Sequence, residues 1–539
     1  MTNAKEWRAK RVYSQSDMKL AALVLDALRR GEPLRSALRA NPLPEGGFLA
    51  KHALVAEYRR QVSEELIEED PVLLAAIRMK PVRTLSGVTT ITVLTKPEPC
   101  PGACIFCPTV EGMPQSYLPD EPGARRGVEN QFDPYRQVSS RLKALYDVGH
   151  PIDKIELLIL GGSWDAYPPH YREWFVRRCF EALNGENAED NLGEVQLEAV
   201  QARNVTAASR NVGLVVETRP DLISVDGLLH MRRLGVTKIQ IGVQSMDDHI
   251  LELNQRGHTV EETIQAARLM RAAGFKIVAH WMPNLLGATL ESDKADYARL
   301  WEVGSIQPDE LKIYPCQLLE SAQLYNYWQQ GEYQPYTEQE LLTLLAAIKP
   351  STPRYCRINR VVRDIPSTNV VDGSRNTSLR QDVALEMKRQ GKSCTCIRCR
   401  ELKGTRLDES RLTLNDLGYQ AAGAYEHFLS FDTAEDRLAG FLRLSLPEGN
   451  SNFITPELEG AGIIREVHVF GQSLGVGAEQ SGAAQHIGLG SRLIEEAERL
   501  TLEAGFQKLA VIAAVGTREY YSARGFKQGE LYMVKELKG

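Results

Sequence analysis

The 539-residue chain lacks any apolar run near the roughly 20 residues that cross a bilayer. Apolar stretches such as 155–160 and 509–515 have only the length of core strands. Its opening, MTNAKEWRAKRVYSQSD, is charged and has no apolar centre, so no secretory signal and a cytoplasmic location are expected. Net positive charge is also missing: 64 Lys/Arg against 70 Asp/Glu leave −6, which excludes a uniformly basic nucleic-acid binder. With 42 Gly and 26 Pro the chain is neither collagenous nor dominated by linkers. Cysteine is scarce, nine in all, but six are packed into two clusters. In a reducing compartment, tight clusters favour metal over disulfides, and two clusters imply two metal sites.

Charge is uneven. Residues 1–40 hold nine Lys/Arg and four Asp/Glu, and MKLAALVLDALRR spaces its apolar residues as a helix that Gly31 stops. Residues 1–80 therefore read as a helical, basic segment. From 81 to 345, β-rich runs at 90–94, 155–160, 213–217, 238–243, 276–280 and 311–314 alternate with helical stretches. That is the pattern of a parallel sheet covered by helices, open or closed into a barrel. Several runs end in Gly or polar residues, and barrel enzymes place their chemistry at those ends. Residues 346–415 read as an irregular, basic, cysteine-bearing linker, and 416–539 as a second α/β module with a Gly/Ser-rich segment at 471–484.

Cys100, Cys104 and Cys107 form C-x3-C-x2-C on a loop just after a strand. Three soft thiolates so close together suit a [4Fe-4S] cluster with one open iron, which can chelate S-adenosylmethionine; the alternative is a zinc knuckle. At the entrance to a β/α barrel this spacing resembles the radical S-adenosylmethionine superfamily. That resemblance implies that Gly161, Gly162 and Ser163 receive the methionine amino group and that Glu217 and Gln244 contact the cofactor from strand ends.

Gln485 to Gly490 read Q-x-x-G-x-G at the start of a helix, where free N–H groups and Gly488 and Gly490 allow close approach of a pyrophosphate. A strand precedes it. Another strand follows, and then Tyr520 and Tyr521. The order resembles a GNAT-type N-acetyltransferase domain. The expected fold class is thus α/β: a radical SAM partial β/α barrel joined to a GNAT-type domain, behind a helical basic segment.

Together, IELLILGG, VVETRPD, IQIGVQS, NQRGHTV, REVHVFG and VGTREYYSARGF make the chain resemble the catalytic subunit of Elongator in its single-chain prokaryotic form. The resemblance implies acetyl-CoA contacts at Lys154, Glu466, Val467, His468, Val469, Leu489, Gly490, Ser491 and Tyr521. It implies catalytic positions at Lys154, Tyr520 and Tyr521 in a site composed from both halves. It also implies the reaction: the adenosyl radical takes hydrogen from the acetyl methyl, the carbon radical adds to carbon 5 of the wobble uridine, and hydrolysis from CoA leaves a carboxymethyl group. A tRNA anticodon stem-loop is the expected partner, with no membrane; whether further subunits take part is left open by the sequence. Glu217, Tyr314 and Tyr325 are candidates to line the base pocket. Arginines at 354, 357, 360, 363, 375 and 380 join the N-terminal helices as the expected backbone path. A protein lysine acetyltransferase with the barrel as scaffold is the competing reading.

Cys394, Cys396 and Cys399 are expected to bind zinc, with Cys316 as fourth ligand and Cys356 as the alternative; surface thiols or a redox pair are the other reading.

Overall fold

The structure, a computed structural model, describes residues 12–84, 86–187, 196–402, 411–449, 453–470 and 488–538. Helices Gln15–Arg29, Leu34–Ala40, Lys51–Ser63 and Pro71–Ile77 come first. The first starts at a reciprocal Ser14/Asp17 capping box, and the four close on a small core that includes Leu25, Leu54 and Tyr58.

A parallel half barrel follows, with its strands in sequence order: β1 (Thr89–Leu94), β2 (Lys154–Leu160), β3 (Arg210–Thr218), β4 (Lys238–Gln244), β5 (Lys276–Trp281), β6 (Glu310–Ile313) and β7 (Arg357–Arg360). The six expected runs fall on β1 to β6. The seventh strand corrects the sequence reading, because segment 346–415 is not wholly irregular. Arg357-Ile-Asn-Arg is too short and charged to register as a strand on its own. It is held by pairing Arg357 with Glu310 and Ile358 with Leu311, and the helix Leu379–Arg389 from the same segment packs into the main core.

The half barrel has two unlike faces. Outward residues such as Leu157, Ile239, Ile277 and Ile313 are fully buried beneath helices that contribute Phe175, Phe180 and Met270. Inward residues alternate with them and are largely polar: Glu156, Lys238, Gln240, Lys276, His280, Glu310 and Lys312 all line a cavity. A parallel sheet is ordinarily apolar on both faces, so this departure marks where the fold gives up stability for chemistry.

The second sheet comprises β8 (Thr413–Ala421), β9 (Ala424–Asp432), β10 (Leu438–Pro447), β11 (Ala461–Val469), β12 (Lys508–Val511), β13 (Lys527–Gln528) and β14 (Met533–Glu536), in the order β13-β14-β12-β11-β10-β9-β8. Only β11 and β12 run parallel; the other neighbours are antiparallel. One face packs on the helix Leu489–Glu503 through Leu493, Ile494 and Ala497. The other sends Phe428, Phe441, Ile463 and Ala510 into the same core as the half barrel. The two sheets thus share one continuous interior. No helix among the described residues is long and apolar enough to cross a membrane.

A chain of alternating charges stitches the sheets together. From the half-barrel floor it runs Glu156–Lys238 (2.6 Å), Lys238–Glu310 (3.4 Å), Glu310–Lys276 (3.1 Å) and Lys276–Glu466 (2.5 Å). It continues Glu466–Arg443 (2.9 Å), Arg443–Asp309 (3.3 Å), Asp309–Arg465 (2.6 Å) and Arg465–Glu426 (2.5 Å). Asp309 and Arg465 are fully buried. Burial alone would raise the Asp309 carboxyl, but Arg465 and Arg443 outweigh it and hold the group well below the usual carboxylate range. Replacing Asp309 by Asn leaves two buried guanidiniums without their shared carboxylate, a loss of about 3–5 kcal/mol, read as a lower thermal midpoint at neutral pH. Because the folded carboxyl titrates below its unfolded value, wild type loses this contribution as pH falls below about 4, and the gap between variant and wild type narrows there. Equal midpoints at pH 7 would show that the network does not hold the sheets.

Candidate active site between the two sheets

The loop after β1 carries Cys100, Cys104 and Cys107 at one end of the half barrel. Ile105 anchors it: its N–H donates to Asn254 O (3.3 Å), its carbonyl accepts from Leu324 N–H (2.8 Å), and its side chain packs with Ile250 and Leu285. Two arginines press against the loop. Arg256 Nη1 donates to Cys104 Sγ at 3.5 Å, and Arg219 Nη1 is buried without a hydrogen-bond partner. A Cβ at Gly102 would sit 2.0 Å from that same Nη1, so glycine lets the guanidinium reach the loop. A hydrogen bond from Cys107, with Arg256 adding to the effect, holds the Cys104 thiol below its ordinary value. Three soft sulfur donors beside two guanidiniums, each with one buried N–H lacking a partner (Arg219 Nη1 and Arg256 Nε), fit an anionic iron–sulfur cluster.

Gly161, Gly162 and Ser163 follow β2 at the same end. Both glycines have positive φ, +134° and +105°, and a Cβ at Gly161 would meet Thr95 Oγ1 at 1.9 Å. Tyr167 Oη donates to the Gly161 carbonyl at 2.7 Å, and Ser163 Oγ lies 3.8 Å from Cys100 Sγ. Glu217 is the penultimate residue of β3, accepting from Tyr117 Oη (3.4 Å) and lying 3.7 Å from His280 Nδ1; burial raises its carboxyl. Gln244 ends β4 in left-handed backbone (φ +66°), with its Oε1 buried and unpaired. A strained residue holding an idle acceptor at a strand end is a common mark of a ligand contact.

Beneath these, a cavity of about 850 Å3 continues from Cys107 down the polar inner face to β11 and Tyr521. Lys312 donates to Gln240 Oε1, and burial lowers its ammonium to about 8; burial likewise drives His280 well below its ordinary value. The sequence reading missed Lys312, His280, Gln240, Arg219 and Arg256. The first three were signalled by polar residues alternating through K-I-Q-I-G-V-Q, K-I-V-A-H and E-L-K-I-Y.

On the second sheet, β11 pairs with β12 only from Ala461 to Ile464 but with β10 as far as Val469. Past Ile464 the two parallel strands part, and among the described residues one edge of β11 has no strand neighbour at Val467 and His468, which line the cavity. The Glu466 carboxylate is already committed to Lys276 and Arg443, so only its main chain remains for a ligand. His468 stacks on Phe441 with its Nε2 buried and unpaired, and burial lowers it to about 4.

Gly488 (φ +71°) opens the helix Leu489–Glu503 with no side-chain cap. Leu489 is buried in the core, Ser491 Oγ accepts from Arg524 Nη2 at 3.0 Å, and a Cβ at Gly490 would lie 2.4 Å from Tyr520 Oη. Tyr521 faces the cavity, whereas Tyr520 lies beneath the Arg524 guanidinium (3.6 Å). Gln485 falls outside the described residues. Lys154 begins β2 on the cavity-facing parity and pairs with Arg210, close to where Gly516 of the second module packs; it does not itself line the cavity. Tyr314 lines the cavity, while Tyr325 instead stacks on Trp328.

Cys394, Cys396 and Cys399 bring their sulfurs within 4.8 Å of one another, a spacing that suits tetrahedral zinc. Cys316 does not join them. It is buried among Ile105, Phe106 and Tyr333, because the strand-end turn after β6 directs it toward the first loop. Cys356 is the thiol beside the triad, its carbonyl accepting from Ile397 N–H at 2.9 Å. The arginines expected on an RNA path are mostly engaged: Arg354 with Asp436, Arg357 with Glu401, Arg360 with Asp364 and Arg363 with Glu121.

The Radical SAM superfamily model matches residues 98–297, and the Radical_SAM C-terminal domain model residues 308–389. With its cysteine loop and curled parallel sheet, this is a radical SAM protein. The tRNA uridine(34) acetyltransferases of Methanocaldococcus jannaschii and Dehalococcoides mccartyi are 40% and 41% identical to it, over 87% and 84% of this chain and 88% and 99% of theirs. Elongator complex protein 3 of Homo sapiens is 35% identical over 87% of each chain. The solved archaeal Methanocaldococcus infernus Elp3 with an N-terminal deletion superposes with a TM-score of 0.73 at 36% identity, covering 84% of this chain and all of that one. The chain belongs to the family of Elongator complex protein 3 and the tRNA uridine(34) acetyltransferases.

Proposed function

We propose that this enzyme modifies carbon 5 of the wobble uridine of tRNA, drawing a carboxymethyl group from acetyl-CoA. The observation that carries the reading is the single cavity that joins the cysteine loop to the open edge of β11. A four-iron cluster on Cys100, Cys104 and Cys107, with S-adenosylmethionine bound, supplies the radical chemistry that an unactivated acetyl methyl requires. The protein's own groups do the rest. Gly161, Gly162, Ser163, Glu217 and Gln244 orient the S-adenosylmethionine. The main chain of Glu466 to Val469 pairs with the pantetheine arm. The free N–H groups at Gly488 to Ser491 take the pyrophosphate, Tyr521 holds the acyl end inside the cavity, and Lys154, at the start of β2 beside the second module, contacts the acetyl-CoA from outside the cavity lining. His280 and Lys312 meet the cavity as neutral or easily neutralised groups, suited to moving protons between base and solvent. The relatives' names tie such chains to uridine 34 of tRNA, and a cytoplasmic location, where tRNA works, belongs to the same reading. Cys394, Cys396 and Cys399 hold a structural zinc that pins the β7 segment.

Release of free CoA thiol from acetyl-CoA rises on adding tRNA and does not on adding a lysine peptide. Lys154→Ala or Tyr521→Ala lowers the tRNA-dependent rate about tenfold or more, equal to ~1.4 kcal/mol. Turnover on the peptide that ignores tRNA would replace this reading with protein acetylation. Zinc measured by mass spectrometry is lost in Cys396→Ser and kept in Cys316→Ser; equal loss in both would restore Cys316 as a ligand.

A further inference from the structure

Among the described residues β1 is the open edge of the half barrel, paired only with β2. At its end the edge is closed by Gln137, whose Nε2 donates to Leu94 O (2.9 Å) and whose Oε1 accepts from Leu94 N–H (2.8 Å). Further back along the same edge stand three arginines from three elements. Arg83 belongs to the turn Pro81–Thr84, Arg126 to the helix Pro122–Glu129 and Arg141 to the helix Pro134–Tyr146. All three line the cavity, beside the hydroxyl-bearing residues Ser86, Thr90 and Thr92.

Several other arginines among the described residues are spent on carboxylates. Arg172, Arg219, Arg363, Arg400, Arg443 and Arg465 each face a carboxylate. Among the described residues, Arg83, Arg126 and Arg141 make no ion pair, although they lie near enough to repel one another. Arg126 Nη1 donates to the Pro122 carbonyl (2.7 Å), but its Nε is buried with no hydrogen-bond partner. Burial, and then the two neighbouring guanidiniums, bring Arg141 down to about 10. Collecting three like charges at a cavity wall, one with an idle buried N–H, is costly unless an anion completes the set. Guanidinium forks match phosphate oxygens in geometry as well as charge.

We propose that Arg83, Arg126 and Arg141 form a phosphate clamp on the free edge of β1, holding a backbone phosphodiester of the RNA strand whose base enters the cavity. The proposal rests on the RNA-modifying reading. It places the strand on the flank opposite the β7 arginines, most of which are spent on carboxylates. Coenzyme A offers phosphates too, but its expected contacts lie on β11 and the helix at Gly488, in the other sheet.

The test is binding of an anticodon stem-loop RNA over a series of salt concentrations, with acetyl-CoA affinity measured in parallel. In the double variant Arg126→Gln/Arg141→Gln, RNA binding weakens, and the slope of log affinity against log salt becomes shallower by about 0.7–0.9 for each phosphate that is no longer neutralised. Acetyl-CoA affinity stays at the wild-type value. Arg126→Lys/Arg141→Lys, which keeps the charges, restores most of the slope, an outcome that simple loss of packing would not give. An unchanged slope in the Gln variant, with wild type binding normally, overturns the clamp alone. Weaker acetyl-CoA binding with unaltered RNA binding reassigns the site to a coenzyme phosphate and overturns it as well. Wild-type protein that fails to bind the stem-loop overturns the RNA reading and the clamp together.

Discussion

Asp309, buried between Arg465 and Arg443, is the residue on which the arrangement of the two sheets depends. A carboxylate with no water can keep its charge only where guanidiniums meet it at hydrogen-bond distance, so the second sheet has one acceptable seat against the first. Such a network adds little net stability over an apolar interface of the same size. Its contribution is register. The seat puts Glu466 of β11 on Lys276 of β5, and with it the unpaired edge of β11 at the floor of the half barrel.

The half barrel repeats that logic inward. Its helix-covered face is apolar and makes the core; its concave face is graded. Charged pairs form the floor, Gln240, His280 and Lys312 the middle, and the cysteine loop with its two arginines the top. Each layer suits one part of the proposed reaction. Fixed ions seat the second sheet, a neutral imidazole and an easily neutralised ammonium line the level proposed to receive the base, and guanidiniums that each keep one idle N–H stand where the anionic cluster would bind. Water-poor surroundings strengthen every one of these interactions.

Much of this was legible in the sequence because the relevant signals are local. Cys100, Cys104 and Cys107 announce themselves by spacing. Gly161 and Gly162 follow a strand, and the structure gives them the positive φ that only glycine takes easily. The strands β1 to β6 showed as apolar runs. What escaped notice depends on closure in space. β7 exists only because β6 offers an edge, and Arg357 and Arg363 find carboxylates at Glu401 and Glu121, 44 and 242 positions away in sequence. Cys316 looked like a zinc ligand by residue type, but the turn after β6 carries it to the other cysteine loop. The polar alternation on β4 to β6 was visible and under-read: polar residues at period two in a parallel sheet are themselves a functional signal.

Both halves of the chain line one cavity, and a structure of the protein bound to a non-hydrolysable acetyl-CoA analogue tests most directly the proposal that they work on it together. Pantetheine is expected along the free edge of β11, with the acyl end inside the cavity, facing His280 and Lys312. An analogue whose acyl end points to solvent, or which sits on a different face of the second sheet, would contradict it.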